Sequence, residues 1–460
     1  MNPPPKSCLR GRKAVHRAED QYERMIKTPI PRLVTSLFIP TVAANLITVI
    51  YNTADTYFVS QIDKSATAAV GAVYAVMAVI QATAGGIGMG AGSLISVRLG
   101  EKKHSEAESY ASSALFAAVA LGIVVCGAGL AFLSPLLSLL GCSETMVPYA
   151  APYAKWILIA APVHCATFVL SNILRSEGAA AFSIVGTAAG GILNVILDPI
   201  FIFTLEMGAE GASLATAVSQ LVSCIIPAVY FAAGRSAVRI SWSGISKRAA
   251  DYRKIISTGL PTVFRQGLGS VSAVALNNAA VVYGDAAVAA ITIANKVYTL
   301  VRHMIIGIGQ GFQPVAGYNF GAGNKKRTWY AFTFSTAVGT LLCTVCALLI
   351  APFAADIMRW FCDDAAVIQI GVKTLYYVAA VMPLMAFSTF VNQLYQCLGF
   401  RLPATLLASC RQGIFFLPAV ILLPLRLGCT GVQLSQPAAD ALTFVVSVPF
   451  LIRFRKKHLK

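Results

Sequence analysis

The stretch from Gly190 to Phe203, GGILNVILDPIFIF, carries two polar side chains in an otherwise apolar run. Asn194 and Asp198 are four residues apart, so a helix places both on one face. Pro199 follows directly, and because proline has no backbone N–H it frees a carbonyl oxygen one turn back. A carboxylate inside an apolar span is costly and commonly marks an ion path. The segment is therefore a candidate site for Na⁺ or H⁺.

Polar residues on two other segments could complete this site. In YNTADTYFVSQ, Asp55 lies near the end of an apolar span, with Tyr51 and Asn52 one turn earlier on the same face. Thr216 and Gln220 are spaced as one polar stripe of a later span. The alternatives are an ordinary acid at a helix end for Asp55, a purely structural role for Asp198 and a packing side chain for Thr216.

The elements that must position these residues are membrane-spanning helices. The 460 residues are 57% hydrophobic and only 12% charged, whereas soluble domains average about 25% charged residues. Apolar stretches long enough to cross a bilayer recur along the chain, and the N-terminus lacks the apolar core of a signal peptide. We predict an all-α polytopic membrane protein with twelve transmembrane helices. Their expected limits are 33–59, 67–96, 109–134, 148–173, 180–205, 211–233, 254–283, 286–317, 328–352, 367–396, 402–425 and 431–452.

The charges predict the orientation of these helices. The net charge is +17, but Lys and Arg are concentrated in alternate loops, which is a membrane pattern rather than a nucleic-acid-binding one. The positive-inside rule places both termini in the cytoplasm of a bacterial cell, with the chain in the plasma membrane. The predicted organisation is a tail (1–32), a first lobe (33–233), a basic linker (234–253), a second lobe (254–452) and a C-terminal tail (453–460).

The two lobes are related by an internal repeat. IPTVAANL at Ile39 matches LPTVFRQG at Leu260, and GGIGMGAG at Gly85 matches IGIGQGFQ at Ile306, both at a displacement of 221 residues. Six helices per copy give both copies the same orientation, so we expect two pseudo-symmetric six-helix bundles in a parallel repeat. Such bundles form a central cleft, as in alternating-access transporters, although a fold alone names no substrate.

The repeat does not carry the acids into the second lobe. The displacement places Asp55 on Leu276 and, with a slip of one residue, Asp198 on Pro418. The second lobe instead has basic residues in or near its spans: Arg265, Lys296, Arg302 and Arg411. The sequence leaves open whether they line the cleft or pair with Asp440. We expect Asp440 at the start of a helix, where an acid suits the positive end of the dipole.

No motif in the sequence predicts catalysis or a resident cofactor. The glycine runs GIGMGAG and GIGQGFQPVAGYNFGAG follow no strand and lack a GxxxxGK phosphate-binding loop, so we expect them to serve helix packing. The missing loop also argues against an ATP-driven pump. No HExxH, GxSxG or His/Cys cluster occurs, and an intramembrane acyltransferase would need a convergent His/Asp or Ser/His set. His164 and His303 are expected to be packing residues.

Three segments resemble multidrug and toxic compound extrusion transporters of the bacterial MepA- and DinF-like branch. PTVAANLITVIYNTADTYFVSQ is similar to their first helix, GQGFQPVAGYNFGAGNKKR to the eighth helix and following loop, and RQGIFFLP to the eleventh helix. The resemblance implies a V-shaped pair of six-helix lobes. It also implies export of amphipathic, often cationic, organic compounds in exchange for Na⁺ or H⁺.

The resemblance also implies a set of site residues. The cation site of this branch uses an aspartate on the first helix, an asparagine and an aspartate on the fifth, and a threonine on the sixth. Asp55, Asn194, Asp198 and Thr216 match this pattern in order and spacing. Other branches use acids on the seventh and tenth helices of the second lobe, and the corresponding spans of this chain contain no acid. Supporting or cleft residues are expected to be Tyr51, Asn52, Gln220, Arg265, Gln266, Lys296 and Arg411.

The function expected from the sequence is secondary efflux antiport rather than an enzymatic activity. The expected partners are small amphipathic organic substrates and the lipid bilayer, with no nucleic acid, and the expected state is a monomer. The alternative is a lipid-linked oligosaccharide flippase, which should show a strongly cationic cleft in both halves. Asp55 and Asp198 favour the antiporter, and we expect neutralisation of Asp440 to matter less than that of Asp55.

Overall fold

The computed structural model describes residues 18–459, and its twelve long helices correspond to the predicted spans. They are α1 (Ile30–Ser60), α2 (Lys64–Gly100), α3 (His104–Ala131), α4 (Val147–Ser176), α5 (Ala180–Pro199), α6 (Gly208–Ala232), α7 (Ala249–Val281), α8 (Asp285–Gly321), α9 (Lys325–Arg359), α10 (Ala365–Cys397), α11 (Arg401–Leu427) and α12 (Cys429–Phe454). Residues 1–17 of the basic tail and Lys460 lie outside the described residues. No strand occurs between residues 18 and 459. The predicted all-α multi-pass membrane fold is confirmed.

Ten of these helices are long and apolar enough to cross a membrane by length and composition. The other two, α7 and α8, have 33 and 37 residues and a more polar composition. Several helices extend past the predicted limits; α1 begins at Ile30 rather than 33 and α7 at Ala249 rather than 254. Hydropathy detects only the apolar part of a helix, whereas backbone hydrogen bonding continues into the polar turns beyond it.

The two halves, α1–α6 and α7–α12, pack against each other mainly through α1 with α8 and α2 with α7. Glycines allow this contact. A Cβ atom added at Gly259 would lie 2.1 Å from the carbonyl oxygen of Gly86, and one added at Gly90 would lie 2.2 Å from that of Ile255. One added at Gly311 would lie 2.5 Å from Cα of a residue of α1. Small residues let helix backbones approach closely, so the glycine runs serve packing as predicted.

All of these contacts lie on one side of the molecule, which we call the terminal side because α1 begins and α12 ends there. A helix of residues 18–27 precedes α1 on this side. Gln21 donates from Nε2 to the carbonyl oxygen of Glu177 in the first half, at 2.7 Å. Arg327 of the second half donates to the carbonyl oxygen of Thr28, at 2.6 Å. The N-terminal segment therefore joins both halves.

Glu177 also fixes the segment between α6 and α7 on the terminal side. Its Oε2 accepts from the hydroxyl of Ser236 at 2.7 Å and from the backbone N–H of Ala237 at 2.9 Å. The side chain is buried, and its Oε1 has no hydrogen-bond partner within residues 18–459. Glu177 follows the last residue of α4, outside the spanning segment. Burial raises the pKa of its carboxyl to about 8.

Candidate cation site and central cavity

The polar pair on α5 is buried and internally bonded. Asn194 and Asp198 are 3% and 0% exposed. The amide of Asn194 donates to Oδ1 of Asp198 at 3.1 Å and lies 3.4 Å from the hydroxyl of Thr216 on α6. The helical spacing of four residues makes the first contact, and the packing of α5 on α6 makes the second. The structure thus brings together three of the four predicted cation-site residues.

Asp55 follows Tyr51 by one turn on α1, and the ring of Tyr51 packs on Gly191 of α5, so Asp55 lies on the side of α1 that faces α5. We call Asp55, Asn194, Asp198 and Thr216 the cation cluster. Three buried acceptor oxygens in it have no hydrogen-bond partner among the described residues: Oδ1 of Asp55, Oδ1 of Asn194 and Oδ2 of Asp198. Unpaired acceptors of two neighbouring acids are what a bound proton or Na⁺ would satisfy, so the residues fit a cation.

Pro199 changes the course of α5 beside the cation cluster. The helix continues into a π-helical turn, Ile200–Thr204, in which Leu205 donates to the carbonyl oxygen of Ile200 at 2.9 Å. Proline cannot donate a backbone hydrogen bond, so a shift of the hydrogen-bond register at this position has a direct cause. This is the helix disruption that the sequence predicted.

The supporting residues of the first half have different places. The ring of Tyr51 packs on Gly191, where an added Cβ would lie 3.1 Å from Cδ1 of the ring, and its hydroxyl lies near the side chains of Asn52 and Gln220. Asn52 instead donates to the carbonyl oxygen of Thr48 within α1, at 2.8 Å. Tyr51 and Gln220 border the central cavity, whereas the side-chain amide of Asn52 forms its hydrogen bond within α1.

A cavity of about 570 Å³ lies between the two halves. Asn194 and Thr216 line it on the side of the first half, whereas Asp55 and Asp198 are not among the lining residues. The glycine-mediated contacts of α1 with α8 and of α2 with α7 border it on the terminal side. A cation bound at the cluster would therefore lie next to the cavity without occupying it.

Basic residues of the second half border the same cavity. Arg265 and Gln266 of α7 and Arg302 of α8 line it. Lys296, also on α8, is exposed and lies away from the cavity lining. The difference follows from helix geometry, since six residues at 3.6 per turn separate side chains by about 240°.

Arg411 lies behind this lining in a buried ion pair. Its Nε is 2.6 Å from Oδ1 of Asp440, whose Oδ2 accepts from the hydroxyl of Tyr298 at 2.5 Å. Gln436 donates to Oδ1 of Asp440 at 3.2 Å. The expectation that Asp440 lies at the start of a helix is wrong, because α12 begins at Cys429 and Asp440 is fully buried in its interior.

The protein-family model MatE matches the chain twice, over residues 40–200 and 261–421. The chain belongs to the MatE family. The two matches begin 221 residues apart, the displacement that the sequence repeat predicted. The resemblance to multidrug and toxic compound extrusion transporters is confirmed.

Named MatE relatives align over nearly the whole chain. The multidrug export protein MepA of Staphylococcus aureus (strain N315) is 25% identical over 440 residues, covering 95% of this chain and 97% of the relative. The protein of the same name from Staphylococcus saprophyticus is 24% identical over 420 residues, covering 91% and 93%. Members of this family are membrane transporters, so the chain is a transporter and not an enzyme.

Solved MatE structures share the fold. One described as the outward-facing conformation of a multidrug resistance MATE family transporter superposes with a TM-score of 0.89 at 24% identity, covering 94% of this chain and 98% of that one. A second, of MATE in the straight conformation, gives 0.89 at 25% identity with the same coverage.

Three residues that line the cavity were not predicted from the sequence to belong to it. Arg175 lies beyond the predicted span 148–173 and so belongs to the loop charges by sequence, yet it lines the cavity from the last turn of α4 and donates to Oδ1 of Asn172 at 2.9 Å. His164 and His303 also line the cavity, and Nε2 of His164 has no partner in the described part of the chain. Along α8 a polar stripe could have indicated this face: Asn295, Thr299, Arg302, His303 and Gln310.

Proposed function

We propose that this MatE chain is a secondary antiporter that exports amphipathic organic compounds in exchange for H⁺ or Na⁺. The coupling ion binds at the cation cluster of Asp55, Asn194, Asp198 and Thr216. The observation that carries this proposal is a group of three buried acceptor oxygens, from two acids and an amide, that have no partner within residues 18–459. In a membrane interior such a group is stabilised by taking up a cation.

The proposed cycle is alternating access by a monomer. The glycine contacts hold the two halves together on the terminal side, and the positive-inside rule assigns that side to the cytoplasm. The cavity in this conformation is then closed toward the cytoplasm of a bacterial cell, with both termini there. Opening inward requires α2 to separate from α7 and α1 from α8. Ion and substrate drive the change by binding the two conformations with different affinity.

Transport from proteoliposomes tests the proposal. Vesicles loaded with either an anionic or a cationic rhodamine dye receive a Na⁺ gradient and a pH gradient in separate experiments. The proposal expects efflux that depends on at least one gradient and stops when an ionophore dissipates it. Efflux at the same rate with and without both gradients would contradict ion coupling.

A lipid-linked oligosaccharide flippase is the second candidate, and the charge of the cavity favours it. Arg175 comes from the first half and Arg265 and Arg302 from the second, so bases reach the cavity from both halves, as a pyrophosphate would require. Reconstituted protein and a fluorescent isoprenyl pyrophosphate-linked sugar separate the candidates. A flippase moves this lipid between leaflets, whereas the antiporter leaves it in place.

A further inference from the structure

The central cavity carries an excess of positive charge. Arg175, Arg265 and Arg302 line it, and no carboxylate within residues 18–459 does. Asp198 is separated from the cavity lining by Asn194, whose amide it binds, and Asp55 does not line the cavity. A substrate in the cavity therefore meets guanidinium groups and neutral polar side chains.

The two arginines that the second half contributes to the cavity, Arg265 and Arg302, are incompletely hydrogen-bonded. Nε of Arg302 is buried without a hydrogen-bond partner among the described residues. Arg265 lies 3.5 Å from the hydroxyl of Thr262, at the outer limit of a hydrogen bond. Asp440 is the one buried acid among the described residues of the second half, and Arg411 binds it. Arg265 and Arg302 therefore have no carboxylate partner among these residues.

These charges also lie near one another. Arg265 and Arg302 line the same cavity, and Arg411 donates to the hydroxyl of Tyr298, one turn before Arg302 on α8. Unpaired charge in a membrane interior is costly, and repulsion between neighbours adds to the cost. An anion bound between Arg265 and Arg302 would remove both penalties, since guanidinium groups bind carboxylate, sulfonate and phosphate oxygens with charge-assisted hydrogen bonds.

Apolar side chains line the cavity beside these arginines, among them Leu276, Ile306 and Phe416. We infer that the cavity takes an amphipathic organic anion, with its acidic group between Arg265 and Arg302 and its apolar body against this wall. The inference rests on the proposed export function for its physiological meaning. An anionic substrate takes the place of the often-cationic substrates that the family resemblance implied, because the arginines of the cavity would repel a cation.

An anionic substrate changes how the membrane potential acts on transport. Export of an anion and import of H⁺ or Na⁺ both move positive charge inward. An inside-negative potential then drives both halves of the exchange. Export of a cation in exchange for one H⁺ or Na⁺ would instead move no net charge.

Equilibrium binding to the detergent-solubilised full chain tests the inference. The probes are sulforhodamine B, which is anionic, and tetramethylrhodamine ethyl ester, a cation on the same ring system, measured by fluorescence anisotropy. We expect tighter binding of sulforhodamine B. Arg265→Gln and Arg302→Gln should each weaken it about tenfold, the value of a hydrogen bond to a charged group.

Lys296→Gln is the matched control, because it removes the same charge from the same helix as Arg302 but away from the cavity. It should leave the affinity for sulforhodamine B unchanged. Arg302→Lys keeps the charge and should retain more affinity than Arg302→Gln, which guards against a folding defect in the latter. Tighter binding of the cation, or an equal loss in Lys296→Gln, would overturn the inference.

This measurement needs no gradient, so its failure is distinct from failure of the antiport proposal. Anion binding as expected, with efflux independent of both gradients, would keep the inference and remove the proposed coupling. Displacement of sulforhodamine B by farnesyl pyrophosphate but not by small aromatic sulfonates would instead assign the site to a lipid pyrophosphate and overturn the small-molecule inference.

Discussion

Asn194 donates its side-chain amide to Oδ1 of Asp198 at 3.1 Å and leaves Oδ2 of that carboxylate without a partner in the described structure. The pair therefore holds the acid in place without neutralising it. A proton can bind at Oδ2, and a Na⁺ ion can be shared with the unpaired Oδ1 of Asn194. The relationship explains why an amide rather than a base accompanies the acid, since a base would compete with the coupling ion.

Asp198→Asn should abolish gradient-driven efflux while the protein still folds and inserts. Asparagine keeps the shape of the side chain but can neither carry the charge nor bind the proton. The measurement is dye efflux from proteoliposomes at matched protein content. Asp285→Asn, an exposed acid in the first turn of α8, is the control and should transport as the wild type does. Wild-type efflux by Asp198→Asn would remove this residue from the coupling site.

Asp440→Asn should lower the stability of the protein more than Asp198→Asn does. The change leaves Arg411 with an unpaired charge in a buried position, and breaking a buried pair in this way costs about 3–5 kcal/mol. Thermal unfolding in detergent measures the loss. Combining it with Arg411→Gln removes both charges and should recover part of the stability. A double variant no more stable than Asp440→Asn would show that the ion pair contributes little.

Gly259→Ala should shift the protein away from the conformation closed on the terminal side. The new Cβ would lie 2.1 Å from the carbonyl oxygen of Gly86, so α2 and α7 must separate. Gly269→Ala on the same helix is the control, because nothing lies within 4 Å of the position of the added Cβ. Both substitutions raise helix propensity equally. Spin labels on the terminal-side ends of α2 and α7 report the distance. Equal distances in both variants would contradict the role of the glycine contact.

Glu177 should make stability depend on pH. Burial raises the pKa of its carboxyl to about 8, against 4.5 when exposed. Between these values the folded protein keeps a proton that the unfolded chain releases, so the free energy of unfolding falls as pH rises through this window. Thermal unfolding across pH should show a weaker fall in Glu177→Gln than in the wild type or in the exposed control Glu144→Gln. Parallel curves for all three would contradict the assignment.

The sequence predicted contacts that depend on helical spacing and missed those that depend on tertiary packing. The contact between Asn194 and Asp198 follows from their spacing of four residues, and Pro199 predicted the change in the helical hydrogen bonding of α5. The partner of Asp440 could not be derived in this way, because Arg411 and Tyr298 reach it from two other helices.

The sequence also did not predict which side of each helix faces the cavity. Lys296 and Arg302 have the same charge and lie six residues apart, yet only Arg302 lines the cavity. Hydropathy marks which residues lie in the membrane but does not give the rotation of each helix. The sequence places Arg175 among the loop charges for a related reason, because a base in the last turn of a span cannot be distinguished by hydropathy from a base in the following loop.

Antiport requires that the cation cluster and the substrate cavity influence each other, and a measurement of equilibrium linkage tests this directly. The affinity of the solubilised protein for sulforhodamine B is titrated across pH at fixed ionic strength, and again with Na⁺ replacing K⁺. We predict that H⁺ or Na⁺ weakens dye binding in the wild type, that the dye weakens ion binding by the same factor, and that Asp198→Asn loses the effect. A wild-type dye affinity that responds to neither H⁺ nor Na⁺ would contradict the antiport account.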